Sequence, residues 1–388
     1  MNPALNHIPP GIFCAQDYER LAADFIPHPA LLYIAGGSAR ETTLRANLDA
    51  FENPCIRPRL LRDVSAGHTR LSLFGHALLH PVLLAPVAFQ TLAHPLGETE
   101  TARAAAAMDT VMTCSTLSSR TLEDVARAAG TEKWFQLYFQ PARAVTLDLI
   151  HRAEAAGYTA LVVTLDASIR SPGLASLRAG FQMPDDAQAA NLVGYPAAKP
   201  VQRETLTTEQ SAIFQVGMAH APHWDDLAWV LANTRLPVLV KGVLRADDAL
   251  ALARMGVTAL VVSNHGGRTL DGAPASLAVL PEIRAAVGED YPLLLDSGIR
   301  SGTDIFRALA LGADAVMIGR LQVYALSVAG ALGVAHMLKL LREELELCMA
   351  QAGCATLAEI RGDINTVARG GESRAIVRPT EKTDCAEY

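Results

Sequence analysis

Eight short apolar runs, most separated by alanine-rich segments of helical periodicity, predict an α/β fold: a (β/α)8 TIM barrel with an N-terminal helical extension and a long loop after strand 4. The runs are residues 82–85, 110–113, 134–137, 160–164, 238–241, 259–262, 293–295 and 315–318. Their alternation with helices demands a parallel sheet with right-handed crossovers, and the 82–345 span is close to the ~250 residues such a barrel uses. A hydrogen-bonding group or a turn also follows every run. An open doubly wound sheet is the alternative, disfavoured because no Gly-x-Gly-x-x-Gly opens a first helix.

The chain, 1–388, reads as one domain: an extension (1–80), the barrel (82–345), and C-terminal helices and tail (346–388). In the extension, residues 15–25 have helical spacing ended by Pro27 and Pro29. Residues 31–37 finish in a Gly-Gly turn, 41–51 form a second helix, 57–61 start an extended segment, and 72–79 suit a small hairpin. Crossover helices are expected over 97–108, 121–129, 142–156, 246–255, 276–287 and 302–311. Residues 166–223 break the rhythm as a polar, mostly irregular loop, the kind that covers an active site or tolerates insertion. Residues 325–338 read as a buried helix, short helices follow from Met349, and 380–388 are expected to lack order.

Half of the residues are hydrophobic and 19% charged, ample for a large core. A net charge of -7 and a pI near 5.9 argue against a nucleic-acid surface. The six cysteines (Cys14, Cys55, Cys114, Cys348, Cys354 and Cys385) form no C-x-x-C pair and no zinc-spaced cluster, so no metal is expected. No signal-peptide pattern opens the chain, and no apolar run reaches the ~18 residues of a membrane span. The expectation is a cytoplasmic protein with reduced thiols, acting on a small molecule and touching neither nucleic acid nor membrane.

Chemistry in such a barrel lies just beyond the strands. Those positions hold Pro86, Val87 and Ala88; Ser115; Gln136 and Tyr138; Thr164 and Asp166; Lys241; Ser263, His265 and Arg268; Asp296, Ser297, Gly298 and Arg300; and Gly319 and Arg320. The stretch from Ser263 to Asp271 delivers a base active near neutral pH and an anion-gripping guanidinium on a glycine turn. The last two strand ends combine glycines, helix starts and two arginines, which suits a phosphate-bearing ligand. Taken singly, each loop also fits a plain turn with surface arginines.

Together these segments resemble the FMN-dependent α-hydroxy-acid oxidases and dehydrogenases, the glycolate and lactate oxidase family. The match runs from about residue 15 to 375 and includes Tyr33–Gly37, Arg57–Arg59, Phe135–Tyr138, Leu236–Gly242, the Ser-Asn-His-Gly-Gly-Arg signature at 263–268, and Ile318–Arg320. The resemblance implies that FMN is the cofactor. Its phosphate would be held by Asp296, Ser297, Gly298, Arg300, Gly319 and Arg320. Its ring would be lined by Pro86, Val87, Ala88, Ser115, Gln136, Thr164 and Ser263, with Lys241 stabilising the negative charge of the reduced flavin. His265 would be the catalytic base and Asp166 its partner, raising its pKa. Tyr33 and Tyr138 would bond the substrate's oxygens, and Arg268 its carboxylate. The reaction implied is oxidation of a 2-hydroxy acid to the 2-oxo acid, with hydride or electron transfer to flavin N5. Oxygen or another electron acceptor would follow, commonly in a homotetramer.

The pattern departs at one position. A second carboxylate-binding arginine belongs seven residues after Asp166, where this chain has Gly173. Losing such a contact costs roughly 1.5–3 kcal/mol. Arg170 is the replacement within reach. Leu117 stands where glycolate oxidases carry a bulky aromatic, which indicates a roomier pocket and a larger or aromatic acid. Two further readings stay open: a flavoenzyme of a specialised pathway whose substrate lacks the α-carboxylate, and a flavin-binding protein without turnover.

Overall fold

The structure is a computed structural model that describes residues 2–196, 206–207, 209–362 and 366–368; the tail expected to lack order lies outside these. Eight strands form the barrel: β1 (Val82–Leu84), β2 (Met112–Ser115), β3 (Lys133–Leu137), β4 (Ala160–Thr164), β5 (Val238–Val243), β6 (Ala259–Val262), β7 (Leu293–Leu295) and β8 (Ala315–Ile318). Each pairs in parallel with the next and β8 pairs with β1, so the sheet closes and the open-sheet alternative falls. Continuous apolar runs, not alternating ones, make these strands because both faces are covered. Leu83, Trp134, Val162, Leu239, Val261 and Leu294 fill the interior, while Leu84, Phe135, Val163, Val240, Leu260 and Ile318 meet the helices.

The predicted hairpin forms from Leu71–Leu73 and His76–Leu78. Leu73 and Leu78 join the interior cluster and Phe74 lies 5.6 Å from Trp134, closing the barrel's N-terminal mouth. All six expected crossover helices form, and a seventh, Trp224–Ala232, leads into β5. β2 begins two residues later than expected, because Asp109 turns left-handed (φ 48°) and Thr110 spends its hydroxyl on the Val82 carbonyl.

Other boundaries also moved. The helix expected over 15–25 is an α-turn, Asp17–Leu21, followed by a 3-10 turn, Ala22–Asp24. Pro29 starts the helix His28–Ala35 instead of ending one, since first-turn N–H groups need no intrahelical acceptor. The extended segment is Pro54–Ile56, paired with Thr366–Ala368, not 57–61. Residues 325–338 lie within a helix, Arg320–Ala352, that runs past Met349, and of the short helices expected from there one, Leu357–Gly362, forms among the described residues. The Arg320–Ala352 helix is long and apolar enough to cross a membrane, which the sequence alone did not suggest. It is mostly buried here, and it breaks at Ala329–Gly330, where Glu100 accepts the freed Ala331 N–H at 3.2 Å.

Candidate active site

A cleft at the C-terminal end of the barrel encloses about 1080 Å³, its open mouth included. Its walls hold Tyr33, Pro86, Val87, Ala88, Ser115, Leu117, Gln136, Tyr138, Thr164, Arg170, Lys241, His265, Arg268, Asp296, Ser297, Gly298, Arg300, Gly319 and Arg320. The structure therefore gathers almost every residue singled out at the strand ends. Ser263 and Asp166 are the exceptions. Asp166 reaches the cleft only through His265, and Ser263 is fully buried behind the wall, its Oγ accepting from Lys241 Nζ (2.6 Å) and from the His265 N–H (3.0 Å), so it braces these two residues.

His265 sits on a turn in which three successive residues are left-handed: His265 (φ 60°), Gly266 (65°) and Gly267 (72°). Glycine tolerates this, but a histidine resists it, so the turn is held by its surroundings. The imidazole Nδ1 meets Asp166 Oδ1 at 2.8 Å and Nε2 faces the Tyr138 hydroxyl at 3.4 Å. Burial pushes the His265 pKa down, helped by the Lys241 charge, and outweighs the upward pull of Asp166. This corrects the sequence expectation of a raised value. The resting imidazole is neutral and able to accept a proton. Asp166 is itself buried, which works upward, yet interaction with His265, its hydrogen bond included, and the Lys241 charge hold its pKa below the usual range. Burial pushes the Tyr138 hydroxyl up to about 12, so it remains a donor.

Lys241 ends the regular part of β5, before a bulge at Gly242 (φ 107°). A Cβ at Gly242 would lie 2.5 Å from that of Asp166, so only glycine lets the two catalytic strand ends approach. The lysine is buried and paired with Asp296 at 2.9 Å. Burial favours the neutral amine, but Asp296 and Asp166 prevail and keep it charged. Salt-bridged lysine and cleft-wall lysine are thus the same residue.

Arg268 lies over the Tyr33 ring, 5.1 Å from its centroid, and Nη1 donates to the Tyr33, Ile34 and Gly36 carbonyls. Arg320 donates from all three nitrogens, to Ile34, Gly266 and Gly36. Burial first, and then the neighbouring Arg268, push the Arg320 pKa down to about 9. Among the described residues neither arginine has a carboxylate partner, which leaves excess positive charge facing the cleft. Arg300 is paired with Glu19 at 3.0 Å. The helix from Gly302 is capped internally by Ser301 and Asp304, and Glu344 takes the Gly302 N–H. Its N-terminus is therefore spent, contrary to the expectation that it would face a phosphate.

Gly173 caps the helix Leu174–Arg178 and packs on the extension; a Cβ there would come within 3.3 Å of the Gly37 carbonyl oxygen. Arg170 lines the cleft and, with Arg268, Tyr33 and Gly173, a smaller adjoining cavity. Sequence reasoning missed Glu19, Phe181, which stacks on Tyr33 at 4.5 Å, and the Asn47–Asn264 pair, because each acts across a tertiary contact.

The profile of FMN-dependent dehydrogenases matches residues 22–366. The chain belongs to this family. It is 59% identical over 366 residues to an L-lactate oxidase of Alicycliphilus denitrificans, covering 94% of this chain and 99% of the relative. It is 39% identical over 344 residues to glycolate oxidase 1 of Zea mays, covering 89% and 93%. Among solved structures, mandelate oxidase with (S)-2-phenylpropionate superposes with a TM-score of 0.82 at 39% identity, covering 92% of this chain and 98% of that one. The family member described here is an FMN-dependent oxidoreductase that oxidises the CH–OH group of a 2-hydroxy acid to the 2-oxo acid. The reading without turnover is thereby overturned, and so is that of a substrate lacking the α-carboxylate.

The residues present fit the cofactor. Gln136 Nε2 and Thr164 Oγ1 are buried with no partner among the described residues, and Ser115 bonds Gln136 Oε1 so that the amide's donor end stays free. Unsatisfied buried polar atoms call for a ligand with both donors and acceptors, such as a flavin's pyrimidine edge. The cationic end at Arg300 and Arg320 suits its phosphate.

Proposed function

We propose that the protein oxidises a short L-2-hydroxy acid, L-lactate foremost, with molecular oxygen as final acceptor. The observation that carries this is the Tyr138–His265–Asp166 chain beside Arg268 in a cleft built for a flavin. The 59% identity to an L-lactate oxidase supports the choice of acid.

In this reading Arg268 and Arg170 hold the substrate carboxylate, and Arg170 replaces the arginine missing at Gly173. Tyr33 and Tyr138 orient the substrate's oxygens. His265 Nε2 takes a proton from the substrate, and Asp166 stabilises the imidazolium that results. FMN, when bound, would supply the acceptor for the hydride equivalent, two electrons with the second proton, that leaves the substrate. Lys241, charged and buried, offsets the negative charge that builds in the ring. Pro86, Val87, Ala88, Ser115, Gln136 and Thr164 line the ring; Ser297, Gly298, Arg300, Gly319 and Arg320 hold the phosphate, and Asp296 fixes Lys241.

A larger or aromatic acid is the second reading, favoured by Leu117 in the cleft wall and by the fold shared with mandelate oxidase. Comparing kcat/KM for L-lactate and (S)-mandelate, with peroxide measured, separates the two. Peroxide equal to 2-oxo acid supports oxygen as acceptor; turnover only with an artificial acceptor contradicts it. The proposal also keeps a cytoplasmic homotetramer. The five cysteines among the described residues are free thiols, in keeping with a reducing compartment; sedimentation tests the assembly.

A further inference from the structure

We propose that Asn47, on the helix Thr42–Glu52 outside the barrel, is a positioning residue for His265. The proposal rests on reading His265 as the base. All three N–H groups of the left-handed turn are met by side chains, each at 3.0 Å: His265 by Ser263 Oγ, Gly266 by Ser297 Oγ and Gly267 by Asn264 Oδ1, which shares that N–H with the Asn264 carbonyl, also at 3.0 Å. Asn264 is therefore one of three clamps on a conformation that an L side chain resists.

Asn47 fixes that clamp. Its Nδ2 donates to Asn264 Oδ1 at 2.8 Å, and Asn264 Nδ2 donates back to Asn47 Oδ1 at 2.7 Å. Both residues are 2% exposed. The amide orientations are settled by the neighbours, since Asn264 Nδ2 also donates to the Pro274 carbonyl and Oδ1 takes the Gly267 N–H. A flip of Asn264 would set oxygen against oxygen and N–H against N–H. Asn264 thus makes four hydrogen bonds, its full capacity, and two come from Asn47. Without them the Asn264 amide is free to turn, and the grip on Gly267 loosens. The helix is separately tied to the same loop: Asp271 accepts from Thr42 Oγ1, the Thr43 N–H and the Arg40 N–H, and Thr43 Oγ1 bonds the Leu270 and Ala273 carbonyls. Asn47 does not line the cleft, so it acts through Asn264.

The test compares Asn47→Ala with Thr43→Val, each reconstituted with FMN and mixed anaerobically with L-lactate. Thr43→Val loosens the same helix without touching Asn264. Asn47→Ala should slow flavin reduction at saturating lactate on the order of 100-fold, with KM little changed and the acid limb of the pH profile displaced. Thr43→Val should lower Tm yet keep the rate and the profile. Equal rates for Asn47→Ala and wild type, or equal losses in both variants, overturn the proposal. Should Asn47→Ala fail to fold, Asn47→Asp serves: it keeps the acceptor for Asn264 and loses the donor as the carboxylate ionises. Its rate deficit should then grow with pH, and wild-type rates throughout overturn the proposal. His265→Gln run alongside separates the two ideas, because rapid reduction by that variant removes the base assignment itself.

Discussion

At His265 burial and a carboxylate pull in opposite directions, and burial prevails. The folded pKa lies below the ordinary 6.5, so the folded protein takes up this proton less readily than the unfolded chain. Stability contributed by neutral His265 is full above that value and is lost as pH falls through it. The base works only when neutral, so the acid limb of kcat/KM is expected below about pH 6.5. Asp166→Asn removes the one upward pull: the limb should move to still lower pH while the plateau rate drops on the order of 100- to 1000-fold. A stopped-flow pH series on both proteins checks this. Arg170→Leu should raise KM for L-lactate roughly 10-fold or more, the worth of one charge-assisted contact, and leave FMN affinity unchanged; an unaltered KM would assign the carboxylate to Arg268 alone. The Ser-Asn-His-Gly-Gly-Arg stretch announced its chemistry in the sequence. Glu19 beside Arg300 and Asn47 beside Asn264 did not, because nothing in a linear spacing joins residues hundreds of positions apart.

The strands were legible because two covered faces leave continuous apolar runs, and the crossover helices because alanine repeats at helical spacing. Boundaries were less so: β2 shifted through a left-handed Asp109, and the helix from Arg320 continued through a break that a sequence of small residues does not mark. The bulge in β5 was invisible, since the close approach that goes with it is to Asp166 on the neighbouring strand end. Gly242→Ala should therefore cost more than a surface glycine substitution, about 1–3 kcal/mol from the positive φ alone, with further loss from the 2.5 Å approach to Asp166. Thermal unfolding together with activity measures it; a variant as stable and active as wild type would show that the bulge does not set the spacing of Lys241 and Asp166.

Across the whole molecule, the extension, the barrel and the long C-terminal helix meet at one cavity whose cations and buried polar atoms fit FMN. Binding to the folded state alone stabilises it by mass action, about 2.7 kcal/mol at a hundredfold excess over Kd. Tm should rise with FMN concentration, and Arg320→Leu should flatten that rise by removing a buried cation from the phosphate end; a wild-type FMN dependence in this variant would shift the phosphate elsewhere. Barrel closure followed from the count of strand–helix units. The hairpin's role as a plug needed the structure, because its leucines are unremarkable until Leu73 and Leu78 meet the barrel interior. The most direct measurement is anaerobic mixing of the FMN-loaded protein and of its His265→Gln variant with L-2-hydroxy acids, followed at the flavin absorbance. The wild type should bleach within seconds with at least one acid, and His265→Gln should retain FMN and stay yellow. Bleaching of His265→Gln at the wild-type rate would contradict the account.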